Sequence, residues 1–358
     1  MKAENERTRK LLNRAIHKLL KDALAVVLRD PAQIPLYTRA VVAQYRAAGR
    51  RKHWEGRGVH VPPYLLVSVT NACNLRCAGC YAHAHGRAKK PEMSAARFRE
   101  MVMEARDLGV GFVVLMGGEP LTRPDLIAVT AEFPDLIFAV FTNGLLLNDG
   151  LVAAFARQRN VVTFLSLEGD AAETDARRGE GVYERLRALM GRLQRARVFW
   201  GVSLTTTRAN VERVTARPFV RDLVARGCKF FFYVEYIPVE EATDELVVTA
   251  EQRAALLSFT RAAGPREGAV FFSFPGDEEA SGGCLSAGRG FVHVSAALDL
   301  EPCPFAPWSD MNLREVSLKH ALKSRFLSAI RADHDKLAET AGGCALWANR
   351  AWVASLLK

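Results

Sequence analysis

Several absences narrow the class of this sequence before any motif is read. No run of about 18 apolar residues occurs, the length that a membrane-spanning helix needs. The opening residues, Met1-Lys2-Ala3-Glu4-Asn5-Glu6, are polar and mixed in charge, which argues against a secretory signal. Cysteine is sparse, with 7 in 358 residues. Without an export signal, those seven read as metal ligands or free thiols and not as a disulfide framework, and the expected compartment is the cytoplasm. Acidic residues run short in one region only. Residues 1–60 hold 14 Lys or Arg against 5 Asp or Glu, a balance of +9 in a chain whose net charge is +10. A uniformly basic nucleic-acid binder would look different, so the charge pattern argues against nucleic acid as a partner.

What the chain does contain is a tight cysteine group. Cys73, Cys77 and Cys80 lie in Thr70-Asn71-Ala72-Cys73-Asn74-Leu75-Arg76-Cys77-Ala78-Gly79-Cys80-Tyr81, directly after a strand-like run from Tyr64 to Thr70. The spacing brings three thiolates together on one short loop. A structural zinc site normally closes with four ligands, and a ferredoxin-type cluster also takes four cysteines. A cubane 4Fe-4S cluster held by three thiolates leaves one iron open to a small molecule, which suits chemistry better than electron storage. A zinc knuckle completed by a distant fourth ligand, such as His83 or His85, is the plainer alternative.

Around this loop the chain divides into three expected parts: a basic helical segment (1–61), a catalytic barrel (62–265) and a C-terminal extension (266–358). In the first part Leu12, Ile16, Leu19, Leu20, Ala23, Val26 and Val27 recur at helical spacing until Asp30-Pro31 stops the helix. A second helix is expected from Leu36 to about Ala48, ending near Gly49-Arg50-Arg51-Lys52. This pair either packs on the body with its basic face in water or contacts an anionic lipid surface or acidic partner. From residue 62, strands near 64–70, 112–116, 136–142, 161–167, 199–206 and 229–237 alternate with helices near 94–108, 124–132, 149–157, 182–196, 212–226 and 250–263. That alternation implies a parallel sheet with right-handed crossovers, its functional loops at the C-terminal strand ends.

The cysteine loop, followed at the end of the next apolar strand by Gly117-Gly118-Glu119-Pro120, resembles the radical S-adenosylmethionine superfamily. The fold this resemblance implies is a partial (β/α)6 TIM-like barrel. In that family the open iron is chelated by the amine and carboxylate of the methionine moiety, and an electron cleaves the sulfonium to methionine and a 5′-deoxyadenosyl radical. By resemblance Gly117, Gly118 and Glu119 receive the methionine ammonium. Leu165-Ser166-Leu167-Glu168-Gly169-Asp170 and Arg177-Arg178 resemble the fourth-strand segment, which puts Ser166 and Glu168 near the ribose or carboxylate and Arg177 or Arg178 near the carboxylate. Val202-Ser203-Leu204-Thr205, with Asn210, resembles the fifth strand, so that Thr205 faces the ribose. Each of these polar residues could instead simply cap the next helix. One departure is visible: many members carry an aromatic residue before the third cysteine, where this chain has Gly79.

A second cysteine set, Cys284, Cys303 and Cys344, flanks an alternating stretch, Phe291-Val292-His293-Val294-Ser295, and resembles a small SPASM/twitch-like extension. Three cysteines imply one auxiliary 4Fe-4S cluster, with Cys228 as either its fourth ligand or a buried structural thiol. Leu298 stands where that hairpin commonly has glycine. Candidate acid/base groups are Glu235, Tyr236 and Asp277, with Glu278 beside the last. The expected activity is hydrogen abstraction from an unidentified peptide, small molecule or lipid. The expected electron donor is a low-potential one such as flavodoxin or ferredoxin. The alternative from another class is a non-catalytic zinc or iron–sulfur protein that binds nucleic acid or an acidic partner through residues 1–60.

Overall fold

A computed structural model of the chain describes residues 2–85, 90–240, 242–276, 283–337 and 344–357. Two helices come first, α1 (Lys2–Arg29) and α2 (Ile34–Glu55). Strands and helices then alternate. β1 (Tyr64–Thr70) precedes α3 (Tyr81–Ala84) and α4 (Ala95–Leu108), β2 (Phe112–Gly117) precedes α5 (Pro124–Val129), and β3 (Ile137–Thr142) precedes α6 (Asp149–Gln158). Next come β4 (Val161–Leu167), α7 (Ala171–Arg178), α8 (Val182–Arg195), β5 (Trp200–Thr206), α9 (Val211–Thr215), α10 (Arg217–Ala225), β6 (Phe230–Glu235), α11 (Ala250–Glu267) and β7 (Val270–Phe274). The remainder holds β8 (Phe291–Val294), β9 (Leu300–Glu301) and the short helices α12 (Leu318–Ala321), α13 (Arg325–Ala332), α14 (Ala345–Ala348) and α15 (Arg350–Ser355).

Among the described residues one sheet carries all nine strands, in the order β7-β6-β5-β4-β3-β2-β1-β8-β9. Every pairing is parallel except the last, where β8 and β9 form the expected hairpin, His293 opposite Glu301. The six expected strands are present, and two parallel strands lengthen the series. β7 pairs with β6 beyond the expected boundary at residue 265, and β8 pairs with β1, Tyr64 opposite Phe291. The curved sheet nearly meets itself, since the Phe274 and Phe291 rings from β7 and β8 lie 6.0 Å apart. The architecture is that of a partial TIM-like α/β barrel.

Strand periodicity of two sorts side chains to the two faces. Leu65, Val67, Val113, Leu115, Phe138, Val140, Leu165 and Val202 point outward and are fully buried beneath Phe98, Met101, Leu126, Leu186 and Leu189 of the helices. Each contributes about 1.5–3 kcal/mol by leaving water. A second apolar cluster, separate from this layer, joins inward residues Ile137, Val162, Phe164, Phe199 and Val270 to Val26 of α1 and Leu36 of α2.

That second cluster places the N-terminal helices across the bottom of the barrel. They bond to the turns that precede the strands: Arg51 Nη1 donates to Gly109 O at 2.6 Å, Gln33 Nε2 to Arg197 O at 3.4 Å, and Lys229 pairs with Asp30 at 3.2 Å. Arg39 also donates to Gln158 O. Packing on the barrel is therefore observed. α2 runs on through Gly49 to Glu55, three residues past the expected end, and Arg50 and Arg51 there donate to Arg106 O and Gly109 O. The single helix expected at 212–226 divides at Ala216, since Pro218 can occupy only the first turn of a new helix.

Leu298 adopts φ +71° in the β8–β9 turn, where Ser295 N donates to Asp299 O and Leu298 N to Ser295 O, both at 2.9 Å. A glycine would adopt that conformation at less cost. Leu298 offsets the strain by being 1% exposed.

Candidate functional site

Cys73, Cys77 and Cys80 stand at the C-terminal rim of the barrel, half-buried, and all three face its interior. Their loop is braced from three sides. Gly118 N donates to Thr70 O and Glu119 N to Ala72 O, both at 2.8 Å. A Cβ on Gly117 would fall 2.4 Å from Thr70 O, and one on Gly118 would fall 2.0 Å from Ala72 O. The glycines thus serve first to seat β2 against the backbone of the cysteine loop.

The second brace is Asn143, whose Nδ2 donates to Asn74 Oδ1 at 2.8 Å and lies 3.9 Å from Cys73 Sγ. The third is α7. Arg177 Nε donates to Ala78 O at 3.0 Å, Ala78 N donates to Arg177 O at 3.1 Å, and Arg178 Nη1 lies 3.8 Å from Cys77 Sγ. Burial pushes the Cys73 and Cys77 thiols up; Arg178 and Arg177 oppose this at Cys77. Thiols must lose their protons to bind metal, so two guanidinium groups beside Cys77 favour the ligating form.

Glu119 is 1% exposed, and burial pushes its carboxyl up against the hydrogen bonds that favour the charge. Thr142 Oγ1 donates to it at 2.6 Å, Asn143 N at 2.7 Å and Leu121 N at 3.1 Å. A carboxylate offers about four acceptor positions, so three donors leave room for one more. Glu119 therefore ties β2 to β3 and still lines the cavity.

Glu168, at the end of β4, accepts through Oε1 from Arg177 Nη1 at 2.6 Å and from Arg178 at 2.5 and 3.0 Å. Arg177 Nη1 also donates to Thr205 Oγ1 at 2.8 Å. Asn210 Nδ2 bridges Glu168 O and Thr205 O, each at 2.9 Å. The expected fourth- and fifth-strand groups are thus one hydrogen-bonded unit. Ser166 faces the cavity beside it, and Glu168 Oε2 is buried with no partner among the described residues.

Two of the residues expected to do acid/base work, Glu235 and Tyr236, line the cavity near the cysteine rim. Glu235, 1% exposed, forms an ion pair with Arg253 of α11 at 3.2 Å, which makes it a buried anchor of β6. Tyr236 is also buried, and its ring occupies the space over Gly79: a Cβ there would lie 2.9 Å from the Tyr236 hydroxyl. That hydroxyl has no partner among the described residues. Asp277 and Glu278 lie outside the described residues. Cys228 is fully buried at the N-terminal end of β6, its thiol pushed up to about 12 by burial and donating to Phe230 O. It is a structural thiol at the opposite end of the barrel from the cysteine loop.

Cys284, Cys303 and Cys344 are all buried. Ala287 N donates to Pro302 O at 3.0 Å, which draws the Cys284 and Cys303 segments together. The short helix α3 and the residue after it pack on the segments that follow two of the three. Tyr81, next to Cys80, packs on Phe305 with ring centroids 4.9 Å apart, and His85 lies 5.9 Å from Trp347. Phe305 is two residues past Cys303, and Trp347 is three past Cys344. Among the described residues no group of three or more His, Cys, Asp or Glu side chains is arranged to hold a single metal ion. A cubane cluster takes one thiolate per iron, so its ligands do not converge on one point.

One group went unread in the sequence. Ser68 Oγ lies 2.8 Å from His293 Nε2, and His293 Nδ1 lies 2.7 Å from Glu301 Oε2, all buried. This chain stitches the β8–β9 hairpin to β1. Only the alternation in 291–295 pointed to His293, and nothing local marked Ser68.

A cavity of about 580 Å³ runs from the three cysteines down the barrel to Leu19, Leu36 and Tyr37 of the N-terminal helices. Among the described residues no helix is long and apolar enough to cross a membrane.

Residues 67–208 match the model of the radical SAM superfamily. The chain is 25% identical over 311 residues to the AdoMet-dependent heme synthase of Methanosarcina barkeri, covering 80% of this chain and 89% of that one. It is 29% identical over 261 residues to the mycofactocin maturase MftC of Mycobacterium ulcerans, covering 70% of each. In fold it resembles Streptococcus suis SuiB bound to S-adenosylmethionine (TM-score 0.64, 19% identity, 80% of this chain and 72% of that one). It also resembles native anSMEcpe with bound AdoMet (TM-score 0.60, 14% identity, 82% and 98%).

Proposed function

The chain belongs to the radical SAM superfamily, and from that premise we propose which of its residues hold the cofactors and present the substrate. The superfamily's 4Fe-4S cluster, when bound, supplies the electron that cleaves S-adenosylmethionine to methionine and a 5′-deoxyadenosyl radical, which takes a hydrogen atom from the substrate and leaves as 5′-deoxyadenosine. Cys73, Cys77 and Cys80 are the residues that hold this cluster. The observation that carries the assignment is their shared position at the mouth of one cavity, with Glu119 and the Arg177–Glu168–Thr205 unit on either side.

In this reading Gly117 and Gly118 seat the cysteine loop, and Glu119 offers its remaining acceptor position to the methionine ammonium. Arg177 and Arg178 answer the methionine carboxylate, while Ser166 and Thr205 face the ribose. Tyr236 fills the space beside Gly79 that an aromatic residue there would need, and its buried hydroxyl has a hydrogen bond to give to the cofactor or the substrate. Glu235 holds β6 in place through Arg253.

Cys284, Cys303 and Cys344 are the proposed ligands of one auxiliary 4Fe-4S cluster, near enough for α3 to touch the segments after Cys303 and Cys344. Residues 1–61 then form the barrel floor, 62–265 the main catalytic barrel, and 266–358 an extension that completes the sheet and carries the auxiliary site. A flavodoxin or ferredoxin is the proposed electron donor, and the cytoplasm the proposed location. The curated relatives are named for heme synthesis and for mycofactocin maturation, so their names do not agree on a substrate.

The test is anaerobic reconstitution with iron and sulfide, followed by dithionite reduction. 5′-Deoxyadenosine should form, with an electron paramagnetic resonance signal that shifts on addition of S-adenosylmethionine. The Cys73→Ala/Cys77→Ala/Cys80→Ala variant should lose both and retain a second, unshifted signal. If that variant shows no second signal, the auxiliary assignment is wrong. If the parent forms no 5′-deoxyadenosine, the roles given to the rim residues fail.

A further inference from the structure

Much of the cavity lies below the cysteines and takes no part in holding the cofactor. Beneath Ser166, Ser203 and Thr205 the strands contribute no charged side chain to the interior. Phe112, Phe141, Phe164, Phe230, Phe232 and Phe272 line it instead. Their rings meet around the lumen, Phe141 stacked on Phe164 at 4.7 Å and Phe232 on Phe272 at 5.2 Å, and still leave the space open. Parallel barrels ordinarily fill this volume with interdigitated branched side chains. An unfilled apolar volume costs stability, and one that persists calls for an occupant.

We propose that the lumen holds the hydrocarbon chain of the substrate, so that the enzyme acts on a long-chain lipid whose reactive carbon is presented at the cysteine rim. The proposal rests on the radical-enzyme reading above and names the substrate class for that same site. A peptide segment entering the lumen would bring backbone amides that need hydrogen-bond partners along its whole length, whereas the strand walls offer mainly phenylalanine rings and the polar lining groups Lys18, Asp22, Gln33 and Tyr37 come from the N-terminal segment at the floor. A hydrocarbon chain needs none. Below Ser166, Ser203 and Thr205 the strands run for three to five more residues, roughly 10–16 Å, which accommodates a length of extended hydrocarbon chain. The floor favours a bilayer as the source. Leu24, Leu28, Ile34, Val42 and Tyr45 are exposed on α1 and α2, within the segment that carries the chain's excess of basic residues, and a basic amphipathic surface of this kind fits anionic lipid.

The experiment titrates reconstituted holoenzyme with the fluorescent polyene cis-parinaric acid and displaces it with saturated fatty acids of increasing length. Affinity should rise about fourfold per added methylene until the lumen is full. Ala139→Trp and Val114→Phe, which fill the lumen from different strands, should each weaken the probe roughly tenfold or more. Iron content and melting temperature show whether each filled variant is folded. Affinity that ignores chain length, or that survives in both folded variants, overturns the proposal. Probe delivered from anionic vesicles, and lost on Leu24→Ser/Leu28→Ser while monomeric probe still binds, identifies the bilayer as the source. Equal loading in that variant keeps the hydrocarbon site and assigns free lipid as the source. The titration reads binding alone, so a failure to form 5′-deoxyadenosine in the same preparation would sink the radical reading separately.

Discussion

The two ends of the barrel use the same strands in opposite ways. At the C-terminal rim the inward positions are Ser166, Ser203 and Thr205, bordered by Glu119, Arg177 and three cysteines. A few residues earlier on those strands the inward positions are Phe164, Val162 and Phe199. The rim is held by directional bonds that fix a loop, whereas the lower interior is held by ring contacts and closed by two helices. One strand can therefore serve two chemistries, because alternation fixes which residues face inward and position along the strand fixes what each one meets.

The contrast breaks most completely at the cysteines. Replacing Cys73, Cys77 and Cys80 by Ala should abolish 5′-deoxyadenosine formation and leave the floor intact, with a melting temperature of the iron-free protein close to the parent's. Gly118→Ala comes next. Its Cβ would meet the Ala72 carbonyl at 2.0 Å, so backbone must move, and denaturant unfolding should show a loss of about 3 kcal/mol or more together with poor cluster loading.

Glu168→Ala removes the carboxylate shared by Arg177 and Arg178. It should cost about 2–4 kcal/mol in stability and weaken S-adenosylmethionine in equilibrium binding, since the arginines lose the group that aims them. Arg51→Ala tests the other end. Losing its buried bond to Gly109 O should cost about 1.5–3 kcal/mol in urea unfolding, with cofactor cleavage per bound cluster unchanged.

The smallest effect is a pH dependence at the floor. Burial holds the Cys228 thiol at about 12, against 9.0 for the free group. The folded state keeps this proton where the unfolded chain has lost it. The contribution is therefore fully present below about pH 9 and is lost as pH rises toward 12. At about pH 10.5 the loss should approach 2 kcal/mol in urea unfolding, and Cys228→Ala should flatten that decline. An equal decline in the variant would assign the pH dependence to other groups.

Much of the rim was legible because its signals are local. Three cysteines within eight positions and a Gly-Gly-Glu-Pro turn after an apolar run each state their chemistry in a short window. Ser94 caps α4 through Arg97 N, and Asp170 with Glu173 forms a box at the start of α7. Glu235 was legible as a strand-end carboxylate on the cavity, but its ion pair with Arg253, eighteen residues on in α11, left no local signal. The strand at Val270–Phe274 was not legible, because four apolar residues and one serine beside a helix end carry no period long enough to tell strand from core helix. The Ser68–His293–Glu301 chain could not be read, since its members meet only through the pairing of β1 with β8 and of β8 with β9.

By itself the sequence determined the family, the number and order of the first six strands, and the residues that stand at the cysteine rim. Each of those follows from spacing along the chain, and a chain carries its own spacing wherever it folds. Tertiary structure alone decided that α1 and α2 close the barrel floor, that the lower interior is an open apolar lumen, and that the C-terminal hairpin joins the same sheet beside β1. Those outcomes depend on which distant surfaces share an interior, and contacts between segments about 60 to more than 200 residues apart leave no periodic trace in either one.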